Sequence, residues 1–193
     1  MSTKPRILAF AGSLRKDSYN KKLVAIAAQG ARDAGADVTL IDLADYPLPL
    51  FDEDCEREQG MPENGKKLKQ LFIEHDGLLI SSPEYNSGFS AVLKNAIDWV
   101  SRSAPGEKPL SAYVGKTAAL IAASPGGFGG LRGLVPLRML LGNIQVLVIP
   151  DQIVIAQAHE AFALDGSLKD AGKQAGTIAI GRKLAETITK LKT

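Results

Sequence analysis

Short apolar runs that alternate with longer amphipathic segments constrain the fold of this chain more than any other feature. Five mostly apolar runs predict strands at residues 6–11, 37–42, 77–82, 117–123 and 145–149. Runs without polar alternation are typical of strands buried on both faces of a parallel sheet. Apolar residues at helical spacing predict helices at residues 18–34, 66–74, 89–101, 131–141 and 169–190. We therefore predict an α/β fold, a three-layer sandwich around a five-stranded parallel sheet.

Length and composition favour one ordinary domain. The 193 residues are 45% hydrophobic and 23% charged, and no linker or repeat divides them, so we predict a single domain over residues 1–193. The net charge of +2 and the scattered Lys and Arg residues argue against a nucleic-acid partner.

No segment is long and apolar enough to cross a membrane. The apolar stretch at residues 7–11 is too short for a secretory signal, so we expect a cytoplasmic protein. The lone cysteine, Cys55, excludes an intrachain disulfide and a multi-cysteine metal site, and we predict no metal.

The loop after the first predicted strand, residues 12–20, has the composition of a phosphate-binding loop. Open parallel sheets bind ligands at this edge, and the next helix directs its free N–H groups toward it. Ser13, Ser18 and Asn20 add short polar side chains, and Arg15 adds a permanent charge. These groups suit a phosphate monoester, because it carries about two negative charges. The alternative is that Ser18 only caps the helix.

The loop does not match the patterns that bind a pyrophosphate. It contains neither Gly-x-Gly-x-x-Gly nor Gly-x-x-x-x-Gly-Lys-Ser/Thr. A monophosphate ligand is therefore favoured over a dinucleotide.

A second loop, residues 82–88, follows the third predicted strand. In the common strand order 2-1-3-4-5 this strand neighbours the first, so the two loops face each other. The ring of Tyr85 and the backbone of residues 83–86 suit a flat ring with a polar edge, such as a flavin. An ordinary turn explains the local sequence equally well.

A third loop, residues 124–130, follows the fourth predicted strand and contains four glycines. Glycine lets the backbone come close to a ligand, so this loop is a third candidate element of the same site. The alternative is a flexible connection.

Three motifs in this order resemble the NADPH-dependent FMN reductase family, most closely its bacterial chromate and quinone reductase branch. They are Gly-Ser-Leu-Arg-x-x-Ser-x-Asn after the first strand, Pro-Glu-Tyr-Asn after the third and Ser-Pro-Gly-Gly after the fourth. Similar blocks at residues 47–54 and 93–99 extend the likeness over most of the chain. The resemblance implies a flavodoxin-like fold with strand order 2-1-3-4-5, bound FMN, and NADPH or NADH as co-substrate.

The resemblance also implies roles for individual residues. The first motif would hold the phosphate and the second would line the flavin. The predicted cofactor-binding residues are Ser13, Arg15, Ser18, Tyr19, Asn20, Pro83, Glu84, Tyr85, Asn86, Ser124 and Gly127. Arg102 is predicted to meet an anionic substrate or the nicotinamide phosphate.

The activity implied is reduction of quinones, chromate or similar small acceptors. We predict no catalytic residue in the narrow sense, because flavin N5 carries the hydride chemistry. One flavin face serving donor and acceptor in turn predicts ping-pong kinetics. The family resemblance implies a homodimer or homotetramer. The segment at residues 43–62 is long enough to be an interaction element, so we predict that it forms the subunit contact.

Two other functions remain open. One is a non-enzymatic flavodoxin-type electron carrier or flavin-responsive binding module, although such carriers are usually acidic and this chain is not. The other is a phosphotransfer or phosphatase domain, for which the sequence offers no nucleophile at the loop.

Overall fold

The computed structural model describes residues 4–192 and contains a central sheet of five parallel strands. Its strands are β1 (Arg6–Ala11), β2 (Asp37–Asp42), β3 (Gly77–Ser81), β6 (Thr117–Ala123) and β7 (Leu147–Ile155), and a separate antiparallel hairpin consists of β4 (Glu84–Tyr85) and β5 (Gly88–Phe89). The sheet order is β2-β1-β3-β6-β7. Because β6 and β7 are the fourth and fifth strands of this sheet along the chain, the predicted α/β class and order 2-1-3-4-5 are confirmed.

Helices cover both faces of the sheet. They are α1 (Tyr19–Asp33), α2 (Glu53–Gln59), α3 (Glu63–Glu74), α4 (Ala91–Ser101), α5 (Leu131–Asn143), α6 (Ala158–Ala161) and α7 (Ala171–Leu191). Successive strand residues enter different cores: Ile7 and Ala9 pack toward α1 and α7, whereas Leu8 and Phe10 pack toward α3, α4 and α5. This two-sided burial explains why the strand sequences are mostly apolar.

Helices α1 and α7 cross at very short distance because each contributes a glycine. A Cβ added at Gly30 would lie 2.0 Å from the carbonyl oxygen of Ile178, and one at Gly181 would lie 1.8 Å from that of Ala27. The close crossing fixes α1, whose first turn lies at the carboxyl edge of the sheet. Among residues 4–192, no helix is long and apolar enough to cross a membrane.

Most predicted elements differ from the structure by one to three residues at an end, and the fifth strand differs by more. The fifth strand was expected to end at residue 149, but β7 continues to Ile155 past Pro150. The pairing between β6 and β7 shifts there, and a bulge on an edge strand accommodates a proline that cannot donate a ladder hydrogen bond.

The segment at residues 43–62, a polar connection for which no helix was predicted, has secondary structure of its own. It contains a 3₁₀ turn (Leu43–Asp45) and α2, whose start is capped by the side chain of Asp52. Helix α2 buries none of its residues, so it has no apolar periodicity from which it could be predicted.

Candidate functional site

The three predicted loops leave the same edge of the sheet. The Gly12 N–H donates to the Ser81 carbonyl (2.9 Å), the Ser82 N–H to Ile121 (2.9 Å), and the Ser124 N–H to Ile155 (3.0 Å). The parallel ladder thus continues into the first residue of each loop. The loops diverge from neighbouring strands and surround one site.

The side chain of Asn20 ties α1 to the ends of β3 and β6. Its Nδ2 donates to the Ala123 carbonyl (2.9 Å), and its Oδ1 accepts from the Ala123 N–H (2.9 Å) and the Ser81 hydroxyl (2.8 Å). Both Asn20 and Ser81 are buried. Asn20 therefore sets the position of the first loop relative to the two other strands that carry loops.

A cavity of about 150 Å³ lies between the loops, and we call its lining the cradle. The cradle consists of Ser13, Arg15, Ser18, Tyr19, Asn20, Pro83, Glu84, Tyr85, Ala123, Ser124 and Pro125. It brings together every predicted cofactor-binding residue except Asn86 and Gly127. A second cavity of about 270 Å³ shares Ser13, Arg15 and Tyr85 with the cradle.

One end of the cradle is formed by the start of α1. Ser18 is the N-cap residue and is buried, yet within residues 4–192 its side chain makes no capping hydrogen bond. The first-turn N–H groups of a helix have no intrahelical acceptor, so they and the Ser18 hydroxyl are available to an anion. This geometry argues against the alternative in which Ser18 serves only as a cap.

The charges of the first loop also favour an anion. The Arg15 guanidinium lies 5.7 Å from the centre of the Tyr19 ring and takes part in no ion pair found among the described residues. Asp17 is exposed and is not part of the cradle lining. The first turn of α1 contains no acidic residue. No carboxylate in the first turn of α1 therefore neutralises the positive end of this helix.

The second loop is a tight hairpin rather than an irregular turn. Asn86 and Ser87 connect β4 and β5 with φ values of 52° and 66°, as in a type I′ turn. Asn adopts left-handed backbone readily, but for Ser87 this conformation is unfavourable and must be stabilised by the surrounding structure. The hairpin holds Tyr85 at the cradle with 55% of its surface exposed. Asn86 itself does not line the cavity.

Two glycines fix the path of the third loop. Gly129 and Gly130 have φ values of 62° and 93°, and a Cβ at Gly130 would lie 2.7 Å from the Ala122 Cβ. Gly127 does not line the cavity, and a Cβ there would meet nothing within 4 Å. The exposed ring of Phe128 lies beside it.

Two serines outside the predicted set also hold the site together. Besides Ser81, the Ser90 hydroxyl donates to the Gly12 carbonyl (2.6 Å) and accepts from the Leu93 N–H at the start of α4. A serine before an apolar helix is a recognisable N-cap signal, but its bond to the first loop depends on tertiary structure.

Arg102 is not brought to the cradle. It follows α4, whose N-cap Ser90 contacts the first loop. The rise of the helix separates Ser90 from Arg102 by about 18 Å. The Arg102 guanidinium instead pairs with Glu56 (2.8 Å) and lies over the Phe51 ring. The pairing raises the Arg102 pKa above its ordinary value. Its contact with a substrate stays a prediction.

A larger cavity of about 480 Å³ lies near Arg102. It is formed by α2, α3 and residues 103–107, and in its wall the buried Lys69 forms an ion pair with the exposed Glu107. None of its lining residues belongs to the three loops. Among residues 4–192, no cluster of three or more His, Cys, Asp and Glu side chains could hold a metal ion.

Comparison with known proteins agrees with this geometry. Residues 5–160 match the NADPH-dependent FMN reductase family. An NAD(P)H-dependent FMN reductase of Pseudomonas aeruginosa is 37% identical over 171 residues, covering 88% of each chain. An NADPH:quinone oxidoreductase of Arabidopsis thaliana is 38% identical over 170 residues, covering 86% of this chain and 82% of the relative.

A solved structure shows the same architecture. The flavoenzyme NAD(P)H:(acceptor) oxidoreductase FerB from Paracoccus denitrificans aligns with a TM-score of 0.78 at 29% identity, over 96% of this chain and 98% of that one. The family resemblance predicted from the three motifs is thus confirmed. This chain belongs to the NADPH-dependent FMN reductase family.

Proposed function

We propose that this chain is an oxidoreductase that binds FMN in the cradle and reduces quinones and similar small acceptors with NADPH or NADH. The observation that carries the proposal is the start of α1, where the buried Ser18 hydroxyl makes no capping bond and Arg15 has no carboxylate partner among the described residues. Both groups lie in one cavity with Tyr85. The named activities of the relatives support the choice of acceptor.

In this proposal, different cradle residues contact the phosphate and the ring of the cofactor. The phosphate would be held by Ser13, Ser18, Arg15 and the first N–H groups of α1. Hydrogen bonds to a charged phosphate are stronger than those between neutral groups. The hairpin would hold the ring, with Tyr85 as the apolar contact. Asn20 would contribute mainly by position, since its carbonyl oxygen is already occupied by two donors.

The remaining loop residues would border the ring without a charge of their own. Ser124 and Pro83 line the cavity, and the backbone near Asn86 and Gly127 lies in the same two loops. The predicted roles of these residues therefore rest on backbone position rather than on side-chain chemistry.

FMN, when bound, supplies the acceptance and donation of hydride, and the protein supplies position and electrostatics. We propose that hydride transfer needs no general acid or base from the cradle. Tyr85 remains half exposed, so donor and acceptor would contact the same side of the site in turn. We accordingly propose ping-pong kinetics, and we propose chromate as a further acceptor.

The flavin proposal is tested with Ser18→Ala and Arg15→Ala. Each change should raise the FMN dissociation constant about tenfold or more, because it removes a hydrogen bond to a charged group. Lys16→Ala is the matched control, since Lys16 is exposed in the same loop but does not line the cradle. Unchanged FMN affinity in both test variants would reject the site.

A single anaerobic experiment separates the enzyme from an electron carrier. Mixing the FMN-loaded protein with NADPH or NADH should bleach the flavin absorption, and addition of a quinone should restore it. A flavin that stays oxidised in the presence of both nucleotides would favour the carrier.

We further propose a cytoplasmic protein that acts as one FMN-binding domain and assembles as a homodimer or homotetramer. The subunit contact predicted at residues 43–62 stays a prediction, and α5 offers a second surface, because Leu131, Val135 and Met139 form an exposed apolar stripe spaced four residues apart. This helix starts at the third loop, so a second copy would adjoin the cradle. Val135→Asp should lower the molar mass measured by light scattering, whereas a mass unchanged by this substitution would exclude the stripe as the contact.

A further inference from the structure

Glu84 lines the cradle, and its carboxylate is bound by the start of α5. Its carboxylate is 8% exposed, and Oε1 accepts from the Arg132 guanidinium at 2.9 Å. Oε2 accepts from the Gly133 N–H at 3.2 Å. Both partners belong to the first turn of α5. Glu84 therefore joins the second loop of the site to the helix that follows the third.

Helix α5 lacks a cap from its own sequence. Its N-cap residue is Gly130, which has no side chain, and Gly133 is the third residue of the helix. A capping side chain normally accepts from the N–H of the second or third helical residue. Here Oε2 of Glu84 accepts the hydrogen bond from Gly133, although Glu84 lies 49 residues earlier in the chain. Its negative charge also lies at the positive end of the helix.

Close packing leaves little freedom at this junction. A Cβ added at Gly133 would lie 3.2 Å from the Gly88 carbonyl oxygen and 3.3 Å from the Glu84 Cβ. The Arg132 guanidinium lies 5.0 Å from the centre of the Phe128 ring in the third loop. One carboxylate thus connects the hairpin, the start of α5 and the third loop.

We propose that Glu84 is a positioning residue, which holds the hairpin and the third loop at the spacing that the flavin ring requires. This inference rests on the proposed binding of FMN in the cradle. Loss of the carboxylate frees the hairpin, whose left-handed turn residues are held by their surroundings. Affinity for the ring then falls, although the side chain does not touch the ligand.

The experiment measures dissociation constants of the apoprotein for FMN and for riboflavin, which lacks the phosphate. Glu84→Ala should weaken both by a similar factor of about ten or more, because the hairpin acts on the ring that both ligands share. Ser18→Ala should weaken FMN alone. Glu84→Gln keeps an acceptor for the Gly133 N–H but loses the ion pair, so its effect should be smaller than that of Glu84→Ala.

Arg132→Met tests the second partner and a double variant tests their coupling. Glu84→Gln combined with Arg132→Met should weaken FMN binding by less than the product of the two single effects, because the residues act as one unit. Asp151→Asn is the control, since it breaks the ion pair of Asp151 with Lys183 between β7 and α7. This control should leave both dissociation constants unchanged.

A merely structural role would lower the melting temperature of the apoprotein without changing ligand affinity in the folded protein. All affinities are therefore measured well below the melting temperature of each variant. FMN affinity unchanged in Glu84→Ala, while Ser18→Ala loses it, would overturn the positioning role alone. Failure of the unmodified apoprotein to bind FMN would overturn the proposed function itself.

Discussion

Replacement of Asn20 by alanine should destabilise the apoprotein and displace α1 from the site. The change removes three buried hydrogen bonds of 2.8–2.9 Å and leaves the N–H and carbonyl of Ala123 and the Ser81 hydroxyl without these partners. A lost hydrogen bond costs about 1 kcal/mol, and a buried group left unsatisfied costs more. The expected loss of unfolding free energy is about 3–4 kcal/mol. In a chain of this length that corresponds to a melting temperature lower by about 10 °C.

The assay is urea unfolding of the apoprotein followed by circular dichroism, because bound flavin would add its own stabilisation. Asn20→Asp keeps the size but turns an oxygen toward the Ala123 carbonyl, and it should cost at least as much as Asn20→Ala. Ser81→Ala removes only one of the bonds and should cost about 1 kcal/mol. A loss below about 1 kcal/mol for Asn20→Ala, or an Asn20→Asp variant as stable as the unmodified protein, would refute this reasoning.

Two further predictions concern stability away from the site. Burial lowers the pKa of Lys116 to about 8, so above that pH the unfolded chain binds more protons than the folded one. Unfolding free energy should therefore rise by about 1–2 kcal/mol between pH 8 and pH 10 relative to Lys116→Met, as measured by urea unfolding; equal pH slopes would contradict this. Gly181→Ala should cost about 3 kcal/mol or more, because its Cβ would collide with the Ala27 carbonyl across the α1–α7 crossing. Gly142→Ala in α5 meets nothing within 4 Å and should be neutral or slightly stabilising, so equal thermal shifts in the two variants would contradict the packing argument.

The sheet was predictable because its determinants are local. Strands β1, β2 and β6 have the predicted bounds, since each is a short, mostly apolar run that ends at a glycine, an acidic residue or a turn. The missed parts lack such a signal. Helix α2 buries no side chain, and the extension of β7 past Pro150 depends on a bulge against β6.

The meeting of the three loops at one candidate site was predictable from topology, whereas the hydrogen-bond partners of individual side chains were not. Parallel strands in this order bring three loops to one edge, whatever their composition. The partners of Asn20 lie 61 and 103 residues further along the chain, and those of Glu84 lie 48 and 49 residues further along. No local sequence pattern shows that these side chains form hydrogen bonds to other parts of the protein. The distance of Arg102 from the cradle follows from the length of α4, which a motif cannot report.

Calorimetric titration of the apoprotein with FMN and with riboflavin measures how much of the affinity depends on the phosphate. The start of α1 and Arg15 form an anion site in this account, so FMN should bind at least about tenfold more tightly than riboflavin. Replacement of both Arg15 and Ser18 by alanine should make the affinities for FMN and for riboflavin nearly equal. Equal affinity for both ligands in the unmodified protein would contradict the account.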